Sequence, residues 1–129
     1  MVNTQSDEGS TGMELVSVSR ENGIAVVAPS IRRLDASVAP AFKQAVVALI
    51  EGGERRLVLN LAGVEFLDSS GLGALVSILK ALGGNGAMAV CGASGAVLAL
   101  FKLTRMDKVF TLFATRTEAI ASIGGWRAG

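Results

Sequence analysis

The feature that most constrains the fold is an almost unbroken aliphatic run in the middle of the chain, Leu57–Leu61. A strand of this composition is typical of a parallel sheet, in which both faces are covered. Further along, apolar residues recur at helical spacing and predict a helix over 70–82 with one buried face. These residues are Leu72, Leu75, Val76, Leu79 and Leu82. The chain therefore contains a strand, a short connection and a helix, the unit from which α/β folds are built.

The N-terminal part of the chain predicts a hairpin followed by a helix. Strands are predicted at Leu15–Val18 and Ile24–Ala28, with Asn22-Gly23 between them as a strong hairpin signal. After a connection, Ser37 is predicted as the N-cap of a helix that has Pro40 in its first turn. The apolar stripe of this helix consists of Phe42, Ala45, Val46, Leu49 and Ile50.

The C-terminal part repeats the alternation of strand and helix. A strand is predicted at Ala87–Cys91, a helix around 97–102 and a short strand at Thr111–Phe113. Thr115 is predicted to cap a final helix over 118–122. The resulting order, ββαβαβαβα, predicts the α/β class, with a mixed, mostly parallel β-sheet and helices packed against it.

The composition fits one domain. The chain has 129 residues, half of them hydrophobic, which suffices for one core. We expect a flexible tail over 1–12, the domain over 13–123 and a second tail over 124–129. With 12 basic and 11 acidic residues and no basic patch among aromatics, direct nucleic-acid binding is not expected. The single cysteine, Cys91, lies in an apolar run and is predicted to be a buried structural thiol.

Neither a signal peptide nor a membrane helix is expected. The first twelve residues include Asp7 and Glu8 and contain no apolar run. The uncharged stretch 81–101 has the length of a membrane helix, but repeated glycines interrupt it as turns. We therefore expect a cytoplasmic protein without membrane insertion.

The chain lacks the residue types and motifs of several common catalytic sites. The chain has no histidine, which excludes the Ser-His-Asp triad and most zinc sites. Ser70 does not lie in a G-x-S-x-G motif, and the glycine-rich segments 83–86 and 92–95 lack the Lys of a P-loop. Asp35 and Asp68 are interpreted as turn formers. Neither catalysis nor a cofactor or metal ion is therefore expected.

The predicted start of the central helix, Asp68-Ser69-Ser70, leaves two interpretations open. One of these side chains caps the helix, a role worth about 1 kcal/mol. However, two consecutive hydroxyls exceed what a cap requires, and the segment follows a predicted parallel strand, where open α/β sheets place their functional sites. We expect Gly71, Gly73 and Ala74 to leave this helix entrance accessible to another protein.

The run from Leu57 to Gly73, LVLNLAGVEFLDSSGLG, resembles the signature of the STAS domain. It is similar in particular to the bacterial anti-sigma factor antagonists. The segment 33–36, Arg-Leu-Asp-Ala, resembles the first loop of that family. The predicted element order matches the family's fold from about Met13 to Ser122. The resemblance therefore implies a single STAS-like domain over nearly the whole chain.

The resemblance also implies a switch. In that family the second serine of the motif, here Ser70, accepts a phosphate from an anti-sigma factor with serine kinase activity. The unphosphorylated antagonist binds the anti-sigma factor; the phosphorylated form does not, until a serine phosphatase restores it. The residues that we predict to bind the partner are Asp35, Asp68, Ser69, Gly71, Leu72 and Gly73.

Two residues depart from the family pattern. Arg32 stands where a glycine is usual before the Leu-Asp of the first loop, and Asn60 stands where an aspartate is frequent. Two alternative functions remain. One is a STAS scaffold subunit of a larger signalling or transport complex without serine phosphorylation. The other is a sensor that binds a nucleotide or lipid at the same loops, which neither a P-loop nor a stacking aromatic residue supports.

Overall fold

The computed structural model describes residues 15–124. The predicted tail over 1–12 lies outside the described residues, as does the predicted C-terminal tail except Gly124. The strands are β1 (Val16–Glu21), β2 (Ile24–Pro29), β3 (Arg33–Leu34), β4 (Arg56–Asn60), β5 (Phe66–Leu67), β6 (Ala87–Cys91) and β7 (Thr111–Phe113). The α-helices are α1 (Ala39–Glu51), α2 (Ser69–Leu82), α3 (Gly95–Leu103) and α4 (Arg116–Gly124). Short 3₁₀ turns follow α2 and α3.

Five strands form the main sheet, in the order β1-β2-β4-β6-β7. β1 is antiparallel to β2, whereas the pairs β2–β4, β4–β6 and β6–β7 are parallel. Aliphatic residues dominate the central strands because both faces of the sheet are covered. The predicted fold class, α/β with a mixed, mostly parallel sheet, is confirmed.

The hairpin between β1 and β2 turns at Asn22 and Gly23, as predicted. Both residues have positive φ angles, 56° and 77°, and Glu21 pairs directly with Ile24. Positive φ at both central residues is the turn geometry that matches the twist of the flanking strands. The asparagine and the glycine tolerate this backbone conformation better than other residues do.

β3 and β5 form a separate parallel pair that the sequence prediction missed. In this pair Arg33 lies opposite Phe66, and Leu34 lies opposite Leu67. The predicted order is therefore corrected to βββαββαβαβα. A strand of two residues is too short to show an alternating pattern, and its pairing partner lies far along the chain.

Helices cover both faces of the main sheet, and alternate residues of each strand point to opposite faces. On one face, Leu57 and Leu59 of β4 belong to the larger core cluster, which α1, α2 and α3 cover. On the other face, Val58 packs in a smaller cluster under α4. Helices α1 and α2 lie next to each other on the first face. Their N-terminal ends position the site described below.

The start of α1 differs from the prediction. Its N-cap is Val38, not Ser37, and no side chain caps it. The Ser37 hydroxyl instead donates to the Asp35 carboxylate at 2.6 Å. The Asp35 carbonyl accepts the N–H groups of Val38 and Ala39, at 3.1 and 2.8 Å. Ser37 is not the cap because a nearby carboxylate binds its hydroxyl.

The uncharged stretch 81–101 contains the end of α2, strand β6 and the start of α3, as predicted. Within residues 15–124, no helix combines the length and the apolar character needed to cross a membrane. Cys91, at the end of β6, is 1% exposed, and burial raises the pKa of its thiol. The predicted buried thiol is confirmed.

Candidate functional site

The candidate site lies where two loops leave the sheet, 30–38 after β2 and 61–68 after β4. Because β2 and β4 are parallel, both loops emerge at the same edge. The short β3–β5 pair then holds them together, with Leu34 opposite Leu67. The next residue of each loop is an aspartate. The N–H of Ala36 donates to Oδ2 of Asp68 at 3.3 Å, so the first loop contacts the start of α2.

Asp68 caps α2. Its Oδ1 accepts the N–H of Gly71 at 2.9 Å, and its backbone carbonyl accepts the N–H of Leu72 at the same distance. The other carboxylate oxygen accepts the bond from Ala36. One side chain therefore satisfies a free N–H of the helix and fixes the neighbouring loop against it. Of the three capping candidates, the structure selects Asp68.

Asp35 is held within its own loop. Its Oδ1 accepts the hydroxyl and the N–H of Ser37, at 2.6 and 3.0 Å. Arg33 Nε lies 3.7 Å from Oδ2, and the Arg33 guanidinium stacks over the Phe66 ring at 4.1 Å. The hydrogen bonds from Ser37, and then the charge of Arg33, lower the pKa of Asp35 below its ordinary value. Asp35 is therefore a fixed, negatively charged group beside the start of α2.

Ser69 and Ser70 are the first two residues of α2, and both are exposed. Within residues 15–124, neither hydroxyl makes a hydrogen bond. Their backbone N–H groups, as the first of a helix, have no acceptor within it, and the helix dipole places partial positive charge there. This end of α2 is therefore suited to an anion, and two hydroxyls are available there to carry one.

The next residues of the motif divide into buried and exposed ones. Gly71 and Leu72 are buried, as is Ala74, whereas Gly73 is exposed. A Cβ at Gly71 would collide with the Leu34 carbonyl oxygen and lie 2.6 Å from the Leu67 side chain. The exposed part of this helix entrance therefore consists of Ser69, Ser70 and Gly73. Gly71 is required because β3 passes directly against the start of α2.

Beside the exposed serines, a groove of about 320 Å³ separates the N-terminal halves of α1 and α2. Its lining includes Ser70, Ala74 and Ser77 from α2 and Pro40 and Lys43 from α1. A second groove of about 690 Å³ follows the same two helices toward their C-terminal ends, and Lys43 and Ser77 line both. Ser70 therefore lies at one end of a continuous depression between the two helices.

The two departures from the family pattern fit the structure. Arg32 is exposed, and its carbonyl accepts the N–H groups of Glu65 and Phe66, at 2.7 and 3.1 Å. Since Arg32 does not have a positive φ angle, its backbone does not require a glycine. Asn60 ends β4, and its Oδ1 accepts the N–H of Ala62 at 3.1 Å. An aspartate oxygen could accept the same bond, so asparagine replaces it without loss of this turn.

The sequence pattern did not predict the contacts between the two loops. It also did not predict that Lys43 lines the groove next to Ser70. The sequence held no local signal for the loop contacts, because each loop shows only a single leucine before an aspartate, at 34–35 and 67–68. The structure shows that Leu34 and Leu67 are buried and paired. For metal binding, residues 15–124 contain no group of three or more His, Cys, Asp or Glu side chains suitably placed.

Comparison with known proteins gives one consistent result. The family model of the STAS domain matches residues 16–119. The anti-sigma-F factor antagonist RsfB of Mycobacterium tuberculosis is 30% identical over 112 residues, covering 87% of this chain and 91% of that protein. An anti-sigma-B factor antagonist of Staphylococcus aureus is 33% identical over 72 residues, covering 55% of this chain and 67% of that protein.

A solved structure agrees over most of the fold. The crystal structure of an anti-sigma factor antagonist from Mycobacterium paratuberculosis superposes with a TM-score of 0.78 at 32% sequence identity. The match covers 84% of this chain and 92% of that one. The similarity thus extends from the sequence to the fold.

Proposed function

Because the chain belongs to the STAS domain family, we propose that it acts as an anti-sigma factor antagonist controlled by phosphorylation of Ser70. In its unphosphorylated form it binds an anti-sigma factor that has serine kinase activity. That partner phosphorylates Ser70 and is released, and a serine phosphatase restores the binding form. The general role is supported by relatives that are described as anti-sigma factor antagonists.

One observation carries the choice of Ser70 over Ser69: both serines are exposed, but of the two it is Ser70 that lines the groove between α1 and α2. Asp68 provides the cap of α2, so neither serine is needed to close the helix start. Ser70 lies at the helix end where backbone N–H groups favour an anion, so the fold tolerates a phosphate there. In the transfer, Ser70 Oγ bonds to the γ-phosphorus of a nucleoside triphosphate held by the partner. The nucleoside diphosphate leaves, and the hydroxyl proton passes to a base of the partner.

The phosphate acts on binding through charge and volume. It adds about −1.5 to −2 charges and three acceptor oxygens. In a closed interface this group would have to lose its hydration beside the Asp68 carboxylate, which has the same sign. The antagonist therefore keeps its fold and loses its partner.

The proposed partner surface consists of exposed residues that contact the partner and of buried residues that support them. Asp35, Ser69 and Gly73 offer exposed or half-exposed atoms around Ser70, so they contact the partner directly. Asp68 lies beside them, with its carboxylate directed to two backbone N–H groups of this chain. Gly71 and Leu72 are buried and shape the surface from below. Removing a contact side chain should weaken binding without unfolding the domain.

The test uses the full chain, ATP and the anti-sigma factor recovered with it by pull-down. Mass spectrometry should find phosphate on Ser70 in the wild type and in Ser69→Ala, the matched control, and none at this segment in Ser70→Ala. By calorimetry, Ser70→Ala should bind like the wild type. Ser70→Asp should bind at least about tenfold more weakly, since a charged group left unpaired in an interface costs more than 1.4 kcal/mol.

Two results would contradict the proposal. The first is equal affinity of the wild type and Ser70→Asp for the cognate partner. The second is a recovered partner without a kinase fold, together with the absence of phosphate on Ser70. The second result would support the alternative function, a STAS scaffold subunit of a larger signalling or transport complex.

A further inference from the structure

Lys43 is the only ionisable residue among those that line the groove next to Ser70. It lies on the face of α1 that is turned toward α2, on the same side as Ala39 and Pro40. Within residues 15–124 it forms no ion pair; the ion pairs found there join Arg20 to Glu54, Arg33 to Asp35 and Arg116 to Glu21. A lysine without an acidic partner thus shares a groove with the proposed phosphorylation site.

We propose that Lys43 forms an ion pair with the phosphate on Ser70 and holds it in the groove between α1 and α2. This inference rests on the proposed function for the presence of the phosphate on Ser70. It adds that Lys43 is the residue that pairs with this phosphate. The long, flexible side chain of lysine can follow a phosphate that is not held in one fixed geometry. The phosphate then lies across the opening of the groove instead of pointing away from the protein.

No acidic side chain around the groove competes strongly with the phosphate for Lys43. On α1, residues 39–47 contain no acidic side chain, and the nearest, Glu51, lies two turns further along. On α2, the only charged side chain is Lys80, which lines the second groove and not the one at Ser70. The acidic groups at this end are Asp68 and Asp35. The Asp68 carboxylate accepts hydrogen bonds from Ala36 and Gly71, and the Asp35 carboxylate accepts them from Ser37.

The pairing explains how one site can accept a doubly charged group beside an aspartate. The free N–H groups at the start of α2 provide partial positive charge, and Lys43 provides a full one. Because Lys43 also lines the second groove, its side chain can move from that groove to the phosphate. The phosphorylated form is thereby stabilised within this chain, without any contribution from the partner.

The test titrates the phosphate directly and needs neither kinase nor partner. Phosphoserine is incorporated at position 70 during synthesis of the full chain, and its ³¹P chemical shift is followed against pH. A nearby cation favours the doubly charged phosphate, so Lys43 should lower the midpoint of this titration. In Lys43→Gln the midpoint should rise by about half a pH unit, the effect of one charge a few ångströms away in water.

Two further variants distinguish a specific ion pair between Lys43 and the phosphate from a general electrostatic effect of nearby positive charges. Lys43→Arg should keep the midpoint of the unsubstituted chain, because it keeps the charge. Lys80→Gln, the matched control on the second groove, should also leave it unchanged. Raising the ionic strength should reduce the difference between Lys43→Gln and the other chains. Amide NMR spectra of the variants confirm that the fold is retained.

The inference is overturned if the phosphate in Lys43→Gln has the same titration midpoint as in the unsubstituted chain. It is also overturned if Lys80→Gln shifts this midpoint as much as Lys43→Gln does. Both outcomes are independent of the proposed function. If Ser70 is never phosphorylated in the cell, the proposed function fails while this titration still measures whether Lys43 pairs with a phosphate there.

Discussion

The starts of α2 and α4 both have backbone N–H groups without an acceptor in the helix, and they cap these groups with different numbers of side chains. At α4, the Thr115 hydroxyl accepts the N–H of Glu118 at 3.2 Å, and Glu118 Oε1 accepts the N–H of Thr115 at 3.2 Å. This is a capping box, in which both side chains are occupied. At α2, Asp68 alone makes the cap, and Ser69 and Ser70 follow it without a hydrogen bond from either hydroxyl within the described residues.

The difference shows which polar groups the fold needs. The predicted cap at Thr115 is confirmed, and the Glu118 side chain completes it. At α2 the capping carboxylate also bonds to Ala36 of the first loop, so the helix start is joined to a second segment of the chain. The two serine hydroxyls are additional to this arrangement. At α2 the capping residue itself therefore makes the link to the first loop, and the two serines beside it are not part of this link.

The largest expected effect comes from Gly71→Ala, which separates α2 from the loop that supports it. The new methyl group would collide with the Leu34 carbonyl, a backbone atom that cannot move without displacing β3. We expect a loss of about 3 kcal/mol in the free energy of unfolding, since overpacking a tight contact costs this much. Urea denaturation of the purified chain measures it.

The matched control is Gly73→Ala, two residues further along the same helix. Apart from its chain neighbours and the backbone of its own helix, no atom lies within 4 Å of a Cβ at this position, and Gly73 is exposed. Alanine there should stabilise the protein by about 0.5 to 1 kcal/mol, because it favours the helix over the unfolded chain. Equal effects of the two substitutions would show that the contact between α2 and β3 does not determine the stability of this helix start.

Gly71 also shows where prediction from the sequence reached its limit. The hairpin at Asn22-Gly23, the buried β4 and the apolar face of α2 follow from local patterns, and the structure confirms them. Contacts between distant segments have no local pattern. The pairing of Leu34 with Leu67, and the loop bond to Asp68, bring together residues that are far apart in sequence. These contacts bury Gly71 against Leu34 and Leu67, which no local pattern around the glycine indicates.

Ser37 shows a second limit, at the scale of a few residues. Its type and position suit an N-cap, and the helix does begin close to it. The carboxylate of Asp35 competes for the same hydroxyl and binds it at 2.6 Å. Polar residues so close in sequence can either cap the helix or hydrogen-bond to each other within the loop. Which of them bonds to which depends on the loop conformation that β3 imposes.

The second prediction compares the two capping residues directly. Asp68→Ala should cost about 2 kcal/mol, because it removes the cap and leaves the N–H of Ala36 without its acceptor. Thr115→Ala should cost about 1 kcal/mol, the usual value for a cap alone. Thermal and urea unfolding of both variants give the comparison.

The controls for this prediction are Ser69→Ala and Ser70→Ala. Both should change the free energy of unfolding by no more than about 0.5 kcal/mol, as surface substitutions do when no hydrogen bond is lost. If Ser70→Ala costs as much as Thr115→Ala, the hydroxyl has a structural role and the contrast between the two helix starts fails.

The start of α1 gives a third case and the smallest expected effect, since the side chain of Asp35 bonds to its own loop and not to a helix N–H group. Its folded pKa is lowered from 3.8, chiefly by the Ser37 hydroxyl. Asp35 therefore contributes stability that is complete above pH 3.8 and is lost as the pH falls through the folded pKa. Ser37→Ala should raise the pKa of Asp35 toward its ordinary value, as followed by NMR titration of the carboxyl carbon. Ser30→Ala, an exposed serine without a bond to Asp35, should leave that pKa unchanged. An equal pKa in the wild type and Ser37→Ala would mean that the backbone N–H of residue 37 and Arg33, and not the hydroxyl, lower the pKa of Asp35.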